Sequence, residues 1–145
     1  MRTRLAVAVS AVVLVFVIAS AVQAADLTAK ATGFKDGKGG AIFYLWRSAE
    51  GFPKTPDKAY AKQAIEIKDG SATVVFTGLE PGVYAVSLAH DQNGNGKLDT
   101  GFMGKPKEGY GTSNNPKNKL SAPSFDQCRV SVGAEGKTID IQVIY

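Results

Sequence analysis

The stretch Asp91-Gln92-Asn93-Gly94-Asn95-Gly96-Lys97-Leu98-Asp99 carries the most distinctive chemistry of the chain. Side-chain oxygens fall at its first, third, fifth and ninth positions, with glycine at the sixth. That is the ligand rhythm of a calcium loop of the EF-hand kind. A hard cation takes six to eight oxygens at about 2.3–2.6 Å, alternate residues of a tight loop point inward, and glycine permits the sharp turn. Lys97, at the seventh position, would lend only its backbone carbonyl.

The pattern also departs from that scheme. Phe102 stands where a bidentate Glu belongs, and Asn93 and Asn95 are neutral, so Asp91 and Asp99 bring the only formal charges. A carboxylate from outside the loop should then complete the site, Glu108 and Asp126 being the candidates. Strand parity favours Asp126: in a strand over 126–132, Asp126, Cys128, Val130 and Val132 would share one face. The expected metal set is Asp91, Asn93, Asn95, Lys97, Asp99 and Asp126, with Ca2+ as the ion. The alternative is a metal-free cluster of Asx turns, because Asn-Gly and Asp-x-Asn segments turn tightly unaided.

Other reactive side chains are sparse. His90 is the single histidine, so a zinc site of the usual kind cannot be built. A hydrolase using His90 with Asp91 or Glu108 would need those groups to converge in a concave pocket. Ser113 and Ser124 lie in no nucleophile motif, and a hydrogen-bonded strand-end role suits His90 better. Cys128 is the only cysteine and cannot form an intramolecular disulfide; it suits a small buried hydrophobe. Trp46 belongs to the core or its edge.

The elements that must position the loop read as short β segments. Leu27 to Ala31 alternates apolar and polar residues, and Ala41 to Trp46 is an apolar run too short for a stable helix. Lys58 to Gln63 suits one helical turn or a loop. Ile65 and Ile67 precede a hairpin connection at Lys68-Asp69-Gly70-Ser71, and Thr73 to Thr77 returns. Val83 to His90 is the longest strand expected, with Tyr84, Val86, Leu88 and His90 on one face. Cys128 to Val132 and Thr138 to Ile144 form a last pair. About seven short strands and no convincing helix predict an all-β fold: an antiparallel β-sandwich, immunoglobulin-like or transthyretin-like, with one long ordered loop from Asp91 to Phe125. A connection that long is uncommon in a compact domain and is often functional.

The first residues bear on compartment. Arg2 and Arg4 precede an apolar stretch from Leu5 to Val22, and Val22-Gln23-Ala24 has the spacing a signal peptidase accepts. Residues 1–24 are therefore expected to be a signal peptide and 25–145 a single domain, periplasmic or secreted, with contact to a membrane only through the export signal. A retained anchor is the alternative. No cysteine follows the apolar stretch to carry a lipid. The formal charge of +4 falls to +2 once Arg2 and Arg4 are removed, and the lysines are scattered, so no nucleic-acid partner is expected.

The run Phe76-Thr77-Gly78-Leu79-Glu80-Pro81-Gly82-Val83-Tyr84-Ala85-Val86 resembles a signature of transthyretin-like and carboxypeptidase-regulatory-like sandwich domains. The longer run through His90-Asp91 and Asn93 to Asp99 is more telling. With Gly104 to Gly111, Ser113-Asn114-Asn115, Pro123 to Asp126 and the early Glu50-Gly51-Phe52-Pro53, it resembles an exported bacterial family known as domain of unknown function 2141. The resemblance spans almost all of residues 25–145. It implies an exported β-sandwich and no particular activity. The function expected is a non-enzymatic binding or interaction domain whose partner is a small ligand or an envelope protein. A hydrolase and a metal-free structural envelope module are the alternatives.

Overall fold

The computed structural model describes Ala21 and residues 23–145; the expected export leader, residues 1–24, lies almost wholly outside the described residues. Eight strands form two sheets. They are β1 (Ala25–Thr32), β2 (Gly40–Trp46), β3 (Ala61–Ile65), β4 (Ser71–Leu79), β5 (Gly82–Asp91), β6 (Tyr110–Thr112), β7 (Val130–Val132) and β8 (Lys137–Gln142). The small sheet has the order β4-β1-β8, and the large one β3-β2-β5-β6. β7 joins the large sheet by pairing with the start of β5, Gly82 opposite Val132 and Tyr84 opposite Val130. The all-β sandwich reading is correct, with two differences. β6 brings the count to eight strands, and β1 and β8 run parallel, Leu27 opposite Lys137 through Thr32 opposite Gln142.

Period-two alternation makes the inner face. Leu27, Ala29 and Ala31 from β1, Val74 and Phe76 from β4, and Ile139 and Ile141 from β8 meet Phe43, Leu45, Val86 and Leu88 of the large sheet in one cluster. Truncating a fully buried aromatic such as Phe43 to Ala would cost about 3–5 kcal/mol. β2 is apolar throughout because both of its faces are covered. Its outer side chains Ile42, Tyr44 and Trp46 pack with Ala85 and Cys128 in a second cluster, under Phe52 and Phe125. Trp46 also donates its indole N–H to Ser87 Oγ at 2.9 Å. Both clusters and both sheets are built entirely from residues 25–145.

Two expectations differ from the structure: Lys58 to Gln63, expected as a helical turn or loop, runs into strand β3 from Ala61, and the start of β7 is displaced. The expected strand from Asp126 does not form; Phe125–Cys128 is a helical turn, α1, and the strand starts at Val130. The cause is local. Ser124 caps the turn by accepting from Gln127 N, and the Gln127 side chain accepts from Ser124 N, a reciprocal capping box.

Candidate functional site

The loop begins where β5 ends. Asp91 lies on the outer face of the large sheet, on the same strand parity as Ala85, Ser87 and Ala89, and its main chain pairs with Gly40 of β2. Gly39 closes the approach at this point: at φ +63°, a Cβ there would lie 1.7 Å from the Asp91 carbonyl oxygen, so only glycine fits.

Asp91 organises the first turn. Its two carboxylate oxygens accept from Asn95 N at 3.0 Å and Gly96 N at 2.7 Å. Gly96 adopts φ +84°, which frees its N–H to point at the acid. Asn93 Oδ1 also accepts from Asn95 N, and Asn95 Oδ1 from Lys97 N, both at 3.2 Å. Asp99 closes the ring, accepting from Asn93 Nδ2 at 2.6 Å and Asn95 Nδ2 at 2.8 Å. The Asn95 and then the Asn93 hydrogen bonds hold the Asp99 carboxyl below its ordinary value of 3.8. Asp91, Asn93, Asn95 and Asp99 therefore form one mutually bonded cluster.

Glu108 is the strut beneath it. It is buried, and its two oxygens accept from the backbone N–H groups of Gln92 and Asp99, both at 2.9 Å. One carboxylate thus ties both ends of the loop together. On the outer face, the Tyr44 hydroxyl is buried and, among the described residues, has no hydrogen-bond partner. Burial, and then the charges of Asp91 and Asp57, push that phenol above its ordinary value of 10.0. Lys62 of β3 donates to the Gly96 carbonyl at 3.3 Å.

Of the expected donor set, the side chains at positions one, three, five and nine are gathered, with the Asn93 and Asn95 amide nitrogens on Asp99. The outside donor does not come from Asp126. Its carboxylate is exposed and pairs with Arg129 at 3.5 Å. Its helix is joined through the Cys128 carbonyl to Ser113, whose Oγ also meets Val86 N. Val86 and Asp91 are roughly 17 Å apart along a strand rising about 3.3 Å per residue. The other outside carboxylate, Glu108, is spent on backbone N–H groups.

His90 faces the opposite way from Asp91, into the sandwich, and is fully buried. Its Nδ1 meets the Tyr145 hydroxyl at 2.7 Å and its Nε2 the Lys38 carbonyl at 2.9 Å. Phe34 stacks edge-on at 5.3 Å. His90 and Asp91 point to opposite faces of the large sheet, whereas a histidine-carboxylate hydrolase needs them to converge in one pocket. Two shallow clefts lie along β3 and β4, lined by Leu45, Tyr60 and Phe76 at one end and Ile65 and Ala72 at the other.

Two places carry a structural weight that their residue types alone do not announce. Ser113 is fully buried, accepts from Val86 N at 3.0 Å and donates to the Cys128 carbonyl. Phe102 and Met103 stand 88% and 85% exposed at the loop tip. The signal for the tip was there: two large apolar residues between Gly101 and Gly104, in a stretch otherwise polar.

An all-β domain of two packed sheets, with an acidic, amide-laced loop leaving one end of its central strand, is the class these features define. The chain belongs to the bacterial family described as "uncharacterized protein conserved in bacteria", domain of unknown function 2141, which matches residues 30–140. No curated protein and no solved structure matches it.

Proposed function

We propose that this chain is an exported, non-enzymatic interaction domain, periplasmic or secreted, whose contact surface is the loop end from Asp91 to Asn115. The partner is a small ligand or an envelope protein. The observation that carries this reading is the Glu108 carboxylate, buried under the loop with both oxygens on backbone N–H groups. A loop pinned at both ends loses little entropy on binding, and such preorganisation is what a recognition surface gains from. Hydrogen exchange in the presence of a chelator tests it. The amides of Gln92, Asn95, Gly96 and Asp99 should exchange as slowly as those in the middle of β5; exchange at coil rates would sink the reading. Fractionation of producing cells, with mass determination of the N-terminus, tests export: the protein should leave the cytoplasm beginning at Ala25.

A second reading adds Ca2+ to the same loop. What favours it is the gathering of Asp91, Asn93, Asn95 and Asp99 into one cluster, with Lys97 at the position that gives a backbone carbonyl. Turning the Asn93 and Asn95 carboxamides would direct oxygen rather than nitrogen at a shared centre. Thermal melting with calcium, with magnesium and with a chelator separates the two. A site raises the midpoint with ion concentration by mass action, and three superimposable curves would leave the loop held by hydrogen bonds alone.

A further inference from the structure

We infer that the Phe102–Met103 tip is an insertion point for an anionic phospholipid bilayer. The inference rests on the reading of the loop end as a contact surface and goes beyond it, to a partner other than the small ligand or envelope protein proposed above.

The tip is apolar, convex and rigid. Phe102 and Met103 are 88% and 85% exposed. They cap a small hairpin in which Thr100 bridges Pro106. Gly101 N donates to the Lys105 carbonyl at 2.7 Å and Lys107 N to the Asp99 carbonyl at 2.8 Å. Below it, Asp99 N is held by Glu108. Met103 itself sits at φ +56°, a conformation rare for a non-glycine residue and kept only where the surroundings enforce it. Such a support costs little further ordering when the side chains are buried in something else.

The surroundings select the kind of surface. Lys97, Lys105 and Lys107 are exposed in the same loop; after the Asn95 and Asn93 hydrogen bonds, Lys97 and Lys107 lie close enough to Asp99 to lower its pKa further, and among the described residues none of the three forms a close ion pair with a carboxylate. Of the loop's acids, Asp91 and Glu108 are buried on backbone N–H groups, leaving Asp99 alone near the surface. Two protruding apolar side chains on a loop that also carries three exposed lysines match the acyl boundary and the anionic headgroups of a bilayer together. A protein pocket would have to be both deep and acidic to match them as well.

The test is vesicle flotation with protein beginning at Ala25, which contains both sheets and both apolar clusters entire. Vesicles of equal parts phosphatidylglycerol and phosphatidylcholine should carry at least tenfold more protein than phosphatidylcholine alone. The double variant Phe102→Ser with Met103→Ser should lose that binding by tenfold or more, and so should Lys105→Glu with Lys107→Glu, both at an unchanged melting temperature. As a check that does not rely on lost binding, Phe102→Trp should shift its emission to the blue on the anionic vesicles only. Equal flotation of parent and tip variants, equal binding to both lipid mixtures, or no binding to either would overturn the inference. A loop that passes the exchange test yet ignores vesicles keeps its role as a contact surface and loses the bilayer as its partner.

Discussion

Two irregular connections flank β6, and they are held by different chemistry. The first, from Asp91 to Gly109, is stapled by carboxylates: Asp91, Asp99 and Glu108 accept from backbone and carboxamide N–H groups. The second, from Ser113 to Arg129, is stapled by neutral groups. Asn114 Nδ2 donates to the carbonyls of Gln127 and Arg129, and Asn118 and Gln127 exchange amide bonds. Asn115 reaches β8 through Asp140 O and Gln142 N. Charge-assisted hydrogen bonds are the stronger kind, but they titrate. Carboxamide bonds do not. The first connection is therefore the one that acid, or a competing cation, can loosen.

The largest expected effect comes from Glu108→Gln. An amide presents one acceptor where two N–H groups need one each, so Gln92 N or Asp99 N is left facing another donor. The loss should be about 3 kcal/mol, within the range for hydrogen bonds to charged groups plus an unsatisfied donor. It should appear in urea melts together with accelerated exchange confined to residues 91–109. Ser113→Ala probes the neutral side of the comparison. It strips the partner from Val86 N and from the Cys128 carbonyl in a fully buried place, and about 2 kcal/mol should be lost. A milder melt change than for Asn115→Ala would show that Ser113 is not the main tie. Asn115→Ala removes exposed bonds to β8, and about 1 kcal/mol is expected.

The smallest effect is the most diagnostic. Asp99 titrates below its ordinary value of 3.8, first because of Asn95 and then Asn93. A carboxyl depressed in the folded state contributes stability above its unfolded value and loses it as pH falls through the folded one. Lowering the pH below 3.8 should thus relax the first connection while the second keeps its exchange protection. Asn95→Ala should move the Asp99 titration, followed by carboxyl carbon shifts, back up toward the ordinary range. An unmoved titration would mean that the amide contacts do not hold the acid.

Much of this was legible in the residues. Alternation at Leu27, Ala29 and Ala31 and at Ile139 and Ile141 marks the inner face because one side of each strand is buried. The side chains of Asp91, Asn93, Asn95 and Asp99 are linked by hydrogen bonds, the Asn93 and Asn95 amide nitrogens lying on Asp99. Asp126 misled because Cys128, Val130 and Val132 alternate into it by chance, while the Ser124-x-x-Gln127 signature of a capped turn was present and overrides parity. Glu108 was noticed as a ligand and acts as a strut, a distinction that sequence cannot draw, since both roles need a buried carboxylate. The three residues of β6 are too few to show a period. The parallel partnership of β1 with β8 joins segments at opposite ends of the chain, and no local pattern encodes it.

That partnership orders events in time. β1 lies between β4 and β8 in the small sheet, so the first strand to be synthesised stays open along one edge until the last has been made. Closing so distant a pair is slow, because the intervening chain must be organised before the contact rewards it. A nascent polypeptide of this design leaves its small sheet unfinished until β8 emerges.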